Sequence, residues 1–245
     1  MLKVLLFTKQ NSWCRTVGKF CHRNFDTTWR ENPVNFDDYN NKYDYVISYL
    51  APQIIPKRVL DLATIAAINF HPGPPKYPGI GGYNFALYNG DVTYGVVAHL
   101  MQEKVDTGMI FDQMEFKIYD TDTVESLKDR SMNALLYLFY AVMGALDGDY
   151  VSYLTEDAKW LREPYTRKDL QELCNRWGSV IIEPDEPYAE KFIRWYNACY
   201  FPNAQDRPHI EVNGKKYYII REDHESIPRR ELFDNTWYGD WNKTV

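Results

Sequence analysis

Apolar and polar positions alternate along this chain in blocks that read in turn as strands and helices. Val4-Leu5-Leu6-Phe7 is a continuous apolar run, as expected of a strand covered on both faces, and it passes into the polar stretch Thr8-Lys9-Gln10-Asn11-Ser12. Asn11 or Ser12 can cap a helix running through Phe20 by accepting from an orphan N–H of its first turn. Tyr45-Val46-Ile47-Ser48-Tyr49-Leu50 repeats the strand pattern, Pro56 opens a short amphipathic helix through Leu60 and Leu62, and Ile65 to Asn69 makes a third strand. Gly95 to Met101 is a further strand. From Thr123, a suitable N-cap, Val124, Leu127, Ser131, Leu135, Leu138, Val142 and Leu146 recur by threes and fours, the stripe of one long helix stopped by Gly148. Strands alternating with helices predict an α/β fold, Rossmann-like, with a mostly parallel sheet and helices on both faces.

Beyond that helix the pattern changes. Glu183-Pro184-Asp185-Glu186-Pro187 is a polar, proline-punctuated joint, followed by a short helix and then Ile210-Glu211-Val212-Asn213-Gly214-Lys215-Lys216-Tyr217-Tyr218-Ile219. Asn-Gly supplies the two positive φ angles of a type I′ turn, so this segment predicts a β-hairpin. The expected division is a catalytic domain over residues 1–185 and a small C-terminal α+β domain over residues 186–245.

A chain of 245 residues can bury a core that needs neither metal nor disulfide. The net charge of −6 and the scattered lysines and arginines argue against a nucleic-acid backbone as the main partner. Cys14, Cys21, Cys174 and Cys199 show no C-x-x-C spacing. The first two, if helical, stand about 10 Å apart, too far to bridge. The apolar run at the N-terminus is short for a signal peptide, and no stretch approaches the roughly 20 apolar residues of a membrane span. Reduced thiols and no membrane segment point to a cytoplasmic protein.

The candidate chemistry lies in Ile68-Asn69-Phe70-His71-Pro72-Gly73-Pro74-Pro75-Lys76-Tyr77-Pro78-Gly79. Asn69 and His71 face the same way while the strand persists, because side chains alternate with period two. Asp106 falls in the loop after the Gly95–Met101 strand. An imidazole near a carboxylate can take a proton from an amine, and a neighbouring amide can donate to an oxygen that becomes negative as a carbonyl turns tetrahedral. That set suits acyl transfer to nitrogen. No Ser or Cys shares the loop, so direct attack by a substrate nucleophile is the more economical route. His99 reads as a hydrogen-bonded core residue, His22 and His224 as surface or turn residues, and no spacing suggests a metal site.

Asn69-Phe70-His71, the Pro-Gly loop to Gly79, and His99-Leu100-Met101-Gln102-Glu103-Lys104-Val105-Asp106-Thr107-Gly108 resemble the signature of formyltransferases that use N10-formyltetrahydrofolate. The resemblance covers most of residues 1–150. It implies His71 as general base, Asn69 as oxyanion donor and Asp106 as the partner that orients His71. It also implies Gln53, Ile54 and Ile55 on one side of the pterin, with Gln102, Glu103 and Val105 on the other. Pro72-Gly73-Pro74-Pro75, where the glycinamide ribonucleotide and methionyl-tRNA branches are leucine-rich, is similar to the branch that formylates nucleotide-linked amino sugars. The C-terminal hairpin region resembles that branch too. The span before Tyr45 is short for the two βα units usual in the family, so a sheet element is expected to have shrunk or gone.

Lys9, Asn11 and Ser12 occupy the first βα loop, where a cation and a helix N-terminus can hold a diphosphate. Lys76 and Tyr77 are close enough to His71 in sequence to line the acceptor side. The expected activity is transfer of a formyl group to a nucleotide-linked amino-deoxysugar, with dTDP-4-amino-4,6-dideoxyglucose as the leading acceptor, for O-antigen or another surface polysaccharide. The same resemblance implies a homodimer. A formyltetrahydrofolate hydrolase and a non-catalytic folate or nucleotide-sugar binding module are the rivals.

Overall fold

The computed structural model describes residues 1–146, 158–175, 194–199, 209–212 and 215–218. In chain order the elements are β1 (Lys3–Thr8), α1 (Ser12–Asn24), β2 (Asp26–Glu31), β3 (Tyr43–Tyr49), α2 (Lys57–Leu60), β4 (Ala63–His71), α3 (Gly82–Asn89), β5 (Thr93–Leu100), β6 (Ile110–Lys117), α4 (Val124–Ala145), α5 (Arg167–Asn175), β7 (His209–Val212) and β8 (Lys215–Tyr218). Six strands form one sheet in the order β2-β1-β3-β4-β5-β6. The first four are mutually parallel, and β5 and β6 are antiparallel to their neighbours. The sheet is therefore mixed and mostly parallel.

Alternation along each strand sorts the two faces. Val4, Leu6, Tyr45, Ile47, Ile68, Phe70, Val96 and Ala98 pack with Cys14 and Val17 of α1 and Leu135, Leu138, Phe139 and Val142 of α4. Leu5, Phe7 and Val46 turn the other way and pack with Val59 and Leu60 of α2. The long helix forms as its stripe predicts. Thr123 Oγ1 accepts from Ser126 N, and Ser126 Oγ accepts from Thr123 N at 3.0 Å, so both ends of a capping box are made. Its last cap is Leu146; the expected stop at Gly148 lies outside the described residues.

Two strands have no clear sequence signal. β2, Asp26-Thr27-Thr28-Trp29-Arg30-Glu31, is a polar edge strand held to β1 by its backbone, and it occupies the span before Tyr45 that seemed too short. The strand is thus retained, and the element that has shrunk is the connection to β3, a single 3-10 turn over Phe36–Asp38. β6 is exposed along much of its second half, so its apolar alternation fades.

From the end of β1 the chain passes to β2 on one side, and from the end of β3 to β4 on the other. The carboxyl ends of β1 and β3 therefore flank the crevice where ligands of open α/β sheets bind. A second apolar cluster joins Phe85, Ala86 and Leu87 of α3 to Leu170 and Leu173 of α5 and to Trp195, Tyr196 and Ala198. Val212 pairs with Lys215, so β7 and β8 make the expected hairpin. The division expected near residue 185 lies outside the described residues.

Candidate active site

β4 carries Asn69 and His71 on the face opposite α1 and α4, because Ile68 and Phe70 between them are committed to the core. Antiparallel pairing sets Asn69 directly opposite His99 of β5. Across that pair Asn69 Nδ2 lies 3.0 Å from His99 Nε2. His99 is thus part of the site, which its place inside a strand pattern had concealed; the register that brings it there is not readable from local sequence.

Asp106 arrives from the loop between β5 and β6. Because β5 runs antiparallel, its last residue pairs with Ile68, and the loop must curl back to bring Asp106 to Asn69 and His71. Two backbone features permit this. Asp106 adopts a left-handed conformation, φ +48°, which Asp tolerates better than most residues, and Gly108 packs so closely that a Cβ would stand 1.8 Å from Leu100 O. Its carboxylate accepts from Gly79 N at 2.8 Å and lies 3.3 Å from both His71 Nδ1 and His99 Nε2. Asp106 is 5 % exposed. Burial alone would push its carboxyl up, but His71, His99 and the Gly79 N–H together outweigh this and hold it at about 2.

Both ring nitrogens of His71 face acceptors: Nδ1 the Asp106 carboxylate, and Nε2 the Tyr77 carbonyl at 3.1 Å. A neutral imidazole has one N–H to give, whereas an imidazolium satisfies both partners. Burial disfavours the cation and pulls the His71 pKa below its ordinary 6.5; Asp106 and the Tyr77 carbonyl pull it up, and His99 pulls it down. Burial thus favours the neutral ring, while the charged form has an acceptor at each nitrogen. Gly73 packs against the same edge of the ring, where a Cβ would lie 2.7 Å from Nε2 and 3.1 Å from Tyr77 O.

His99 Nδ1 donates to Leu100 O at 2.8 Å, and its Nε2 lies between Asn69 Nδ2 at 3.0 Å and Asp106 Oδ1 at 3.3 Å. The second Asn69 N–H reaches Asp106 Oδ1 at 3.5 Å, the long limit of a hydrogen bond. That weak contact is the one a developing oxyanion can replace.

The remaining expected site residues fall in several places. Asn11 caps α1, its Oδ1 accepting from Cys14 N at 2.7 Å, with Ser12 exposed and Lys9 half-buried beside it. Gln53 is tied to the segment after β2: its Oε1 accepts from Asn32 and, at 2.7 Å, from Val34 N. Ile55 is core, packed with Val46 and Val59, whereas Ile54 is 69 % exposed. Gln102, Glu103 and Val105 are exposed on the loop that carries Asp106. Lys76 pairs with Asp91 at 2.7 Å. Tyr77 corrects the expectation of a lining side chain, because its ring is buried and its hydroxyl donates to Asp91 at 2.7 Å; His71 meets its carbonyl instead.

Sequence reasoning gave no role to residues 158–165. They cross the site as a strap, and Trp160 sets its ring edge-on to both imidazoles, with centroids 5.7 Å from His71 and 5.1 Å from His99.

The formyl transferase family model matches residues 20–141. The GDP-perosamine N-formyltransferases of Brucella melitensis and Brucella abortus are 30% identical over 199 residues, spanning 79% of this chain and 71% of theirs. Among solved structures, a sugar N-formyltransferase from Shewanella sp FDAARGOS_354 superposes with a TM-score of 0.65 at 21% identity, covering 89% of this chain and 96% of that one. The Helicobacter canadensis N-formyltransferase, solved with folinic acid and dTDP-3-aminofucose, superposes with a TM-score of 0.64 at 18% identity, covering 88% and 86%. The chain belongs to the formyl transferase family. It is a formyltransferase, an enzyme of the one-carbon group transferases.

Proposed function

We propose that this enzyme transfers the formyl group of N10-formyltetrahydrofolate to the amine of a nucleotide-linked amino-deoxysugar, as a homodimer serving surface polysaccharide synthesis. The observation that carries this is the placement of His71 between the Asp106 carboxylate and the Tyr77 carbonyl, with the Asn69 amide alongside. His71 Nε2 accepts the proton that the amine loses as its nitrogen bonds to the formyl carbon. The imidazolium is held by Asp106 and the Tyr77 carbonyl while Asn69 steadies the oxygen as charge grows on it. Collapse then breaks the C–N10 bond, the proton passes from His71 to N10, and tetrahydrofolate leaves with the formyl group on the amine nitrogen as an amide.

The bound folate supplies an activated formyl group. Residues able to hold it fit in character: exposed Ile54, and Val105 at 39 % exposure, offer apolar edges to a flat ring on the two loops expected to flank it. The Brucella and Helicobacter relatives are named for, or solved with, nucleotide-linked amino sugars, which supports the same acceptor class here. Within that class dTDP-4-amino-4,6-dideoxyglucose is the first acceptor to try.

Incubation with N10-formyltetrahydrofolate and a panel of dTDP- and GDP-amino sugars, read by mass spectrometry, tests this. A nucleotide sugar heavier by one formyl group is expected. Formate released at full rate without any amino sugar would instead identify a hydrolase, and formylation of methionyl-tRNA alone would move the acceptor out of the sugar class. Sedimentation of the purified protein as a monomer would remove the dimer.

A further inference from the structure

Trp160 touches the site yet takes no part in the chemistry assigned above. Its strap is tied at several points: Ala158 bridges Ile110 at the start of β6, Leu161 N donates to Pro75 O at 3.1 Å, Tyr165 N donates to Pro78 O at 2.9 Å, and Ile80 N donates to Tyr165 O at 3.0 Å. Lys104 and Glu163 pair between the strap and the Asp106 loop. Gly79 allows the last crossing, since a Cβ there would come within 2.3 Å of Tyr165 O. The strap thus joins the loop that carries Asp106 to the loop that follows His71.

Within it the indole is fixed as well as packed. Its Nε1 donates to Gly108 O at 2.7 Å, two residues from Asp106, and its plane stands at 76° to the His71 ring and 86° to that of His99. His71 and His99 are 7 % and 2 % exposed. Trp160 also borders an open surface hollow with Gly108, Ile110 and Ala158. One large ring therefore separates the two imidazoles from the outer surface.

We propose that Trp160 is a positioning residue that holds the two imidazoles in register and keeps water from the formyl carbon, so that the group passes to an amine and not to water. This rests on the formyl-transfer reading above. The reaction it suppresses is hydrolysis: a water oxygen bonds to the formyl carbon, its proton passes by way of His71 to N10, the C–N10 bond breaks, and formate and tetrahydrofolate leave. A ring that served packing alone would affect stability and leave the partition between amine and water unchanged.

The test compares wild type, Trp160→Phe and Trp160→Ala in N10-formyltetrahydrofolate, with and without GDP-perosamine or dTDP-3-aminofucose, measuring formate and formylated sugar together. Trp160→Ala is expected to release formate about tenfold faster than wild type without amino sugar, and to yield less amide per folate consumed. Trp160→Phe, which keeps a ring but loses the bond to Gly108 O, is expected to fall between them. If the alanine variant does not fold by circular dichroism, Trp160→Leu takes its place. A wild-type partition in the folded variants would overturn the role of Trp160 alone. Wild-type protein that yields neither formylated sugar nor formate would overturn the reading beneath it.

Discussion

Asn69 and His99 stand opposite one another across the β4–β5 pair, with Asn69 Nδ2 3.0 Å from His99 Nε2. His99 Nδ1 donates to Leu100 O, and its Nε2 is shared between the Asn69 amide and Asp106 Oδ1, so His99 fixes where both groups stand. Replacing it with Ala is expected to lower kcat about tenfold, in the range seen when an outer partner of a reactive group is lost, and to leave KM for the folate nearly unchanged. Steady-state kinetics of the variant check the split.

Asp106, proposed to orient His71, also bears on stability. With its carboxyl held at about 2 in the folded protein against an ordinary 3.8, it contributes roughly 2 kcal/mol of stability above pH 4. Because the folded value is the lower one, that contribution is lost as pH falls from about 4 through 2. Urea unfolding of wild type and Asp106→Asn is expected to show a stability gap at neutral pH that narrows toward pH 2. Activity of the variant is expected to drop at least a hundredfold, because the charge that receives the His71 cation is gone.

Gly79 sits at φ +83° with its N–H on Asp106 and no room for a side chain beside Tyr165. Gly79→Ala is expected to cost about 2 kcal/mol or more in denaturant unfolding, from the left-handed backbone and the clash together. It should also reduce activity, since the displaced loop carries a hydrogen bond to Asp106.

A base must be unprotonated to accept a proton. Burial, the largest influence on His71, sets its pKa below 6.5, so the acid limb of the kcat/KM profile is expected to have its midpoint below 6.5. Activity should hold as pH falls toward 6.5 and decline below that midpoint. A limb centred above 7 would contradict the environment assigned to this ring.

Much of this architecture is legible in local pattern. The buried runs at Val4–Phe7 and Tyr45–Leu50 and the long stripe from Val124 to Leu146 each report a face that packing demands. β2 lacks an apolar run because, at the sheet edge, Trp29 is its one large apolar side chain, packed over Gly18 and bonded to Thr8, while the rest pairs with β1 through the backbone. Around the candidate site, Asn69, His71 and Asp106 were legible as candidates from residue type and strand-end position, and the fold brings the three together. His99 was not, because its role depends on an antiparallel register between distant segments, and neither was Trp160, which reaches the imidazoles from a strap more than 50 positions past His99. Tyr77 misled because its side chain and its carbonyl serve different ends: the ring fills the core and the backbone meets His71.

His71 is the proposed acceptor of the proton released as an amine attacks a formyl carbon. The most direct test of that role is the rate of formylated nucleotide-sugar formation by His71→Ala beside wild type, both shown to be folded. The variant is expected to lose about two to four orders of magnitude in rate. Formation of the same product at the wild-type rate by His71→Ala would contradict that role.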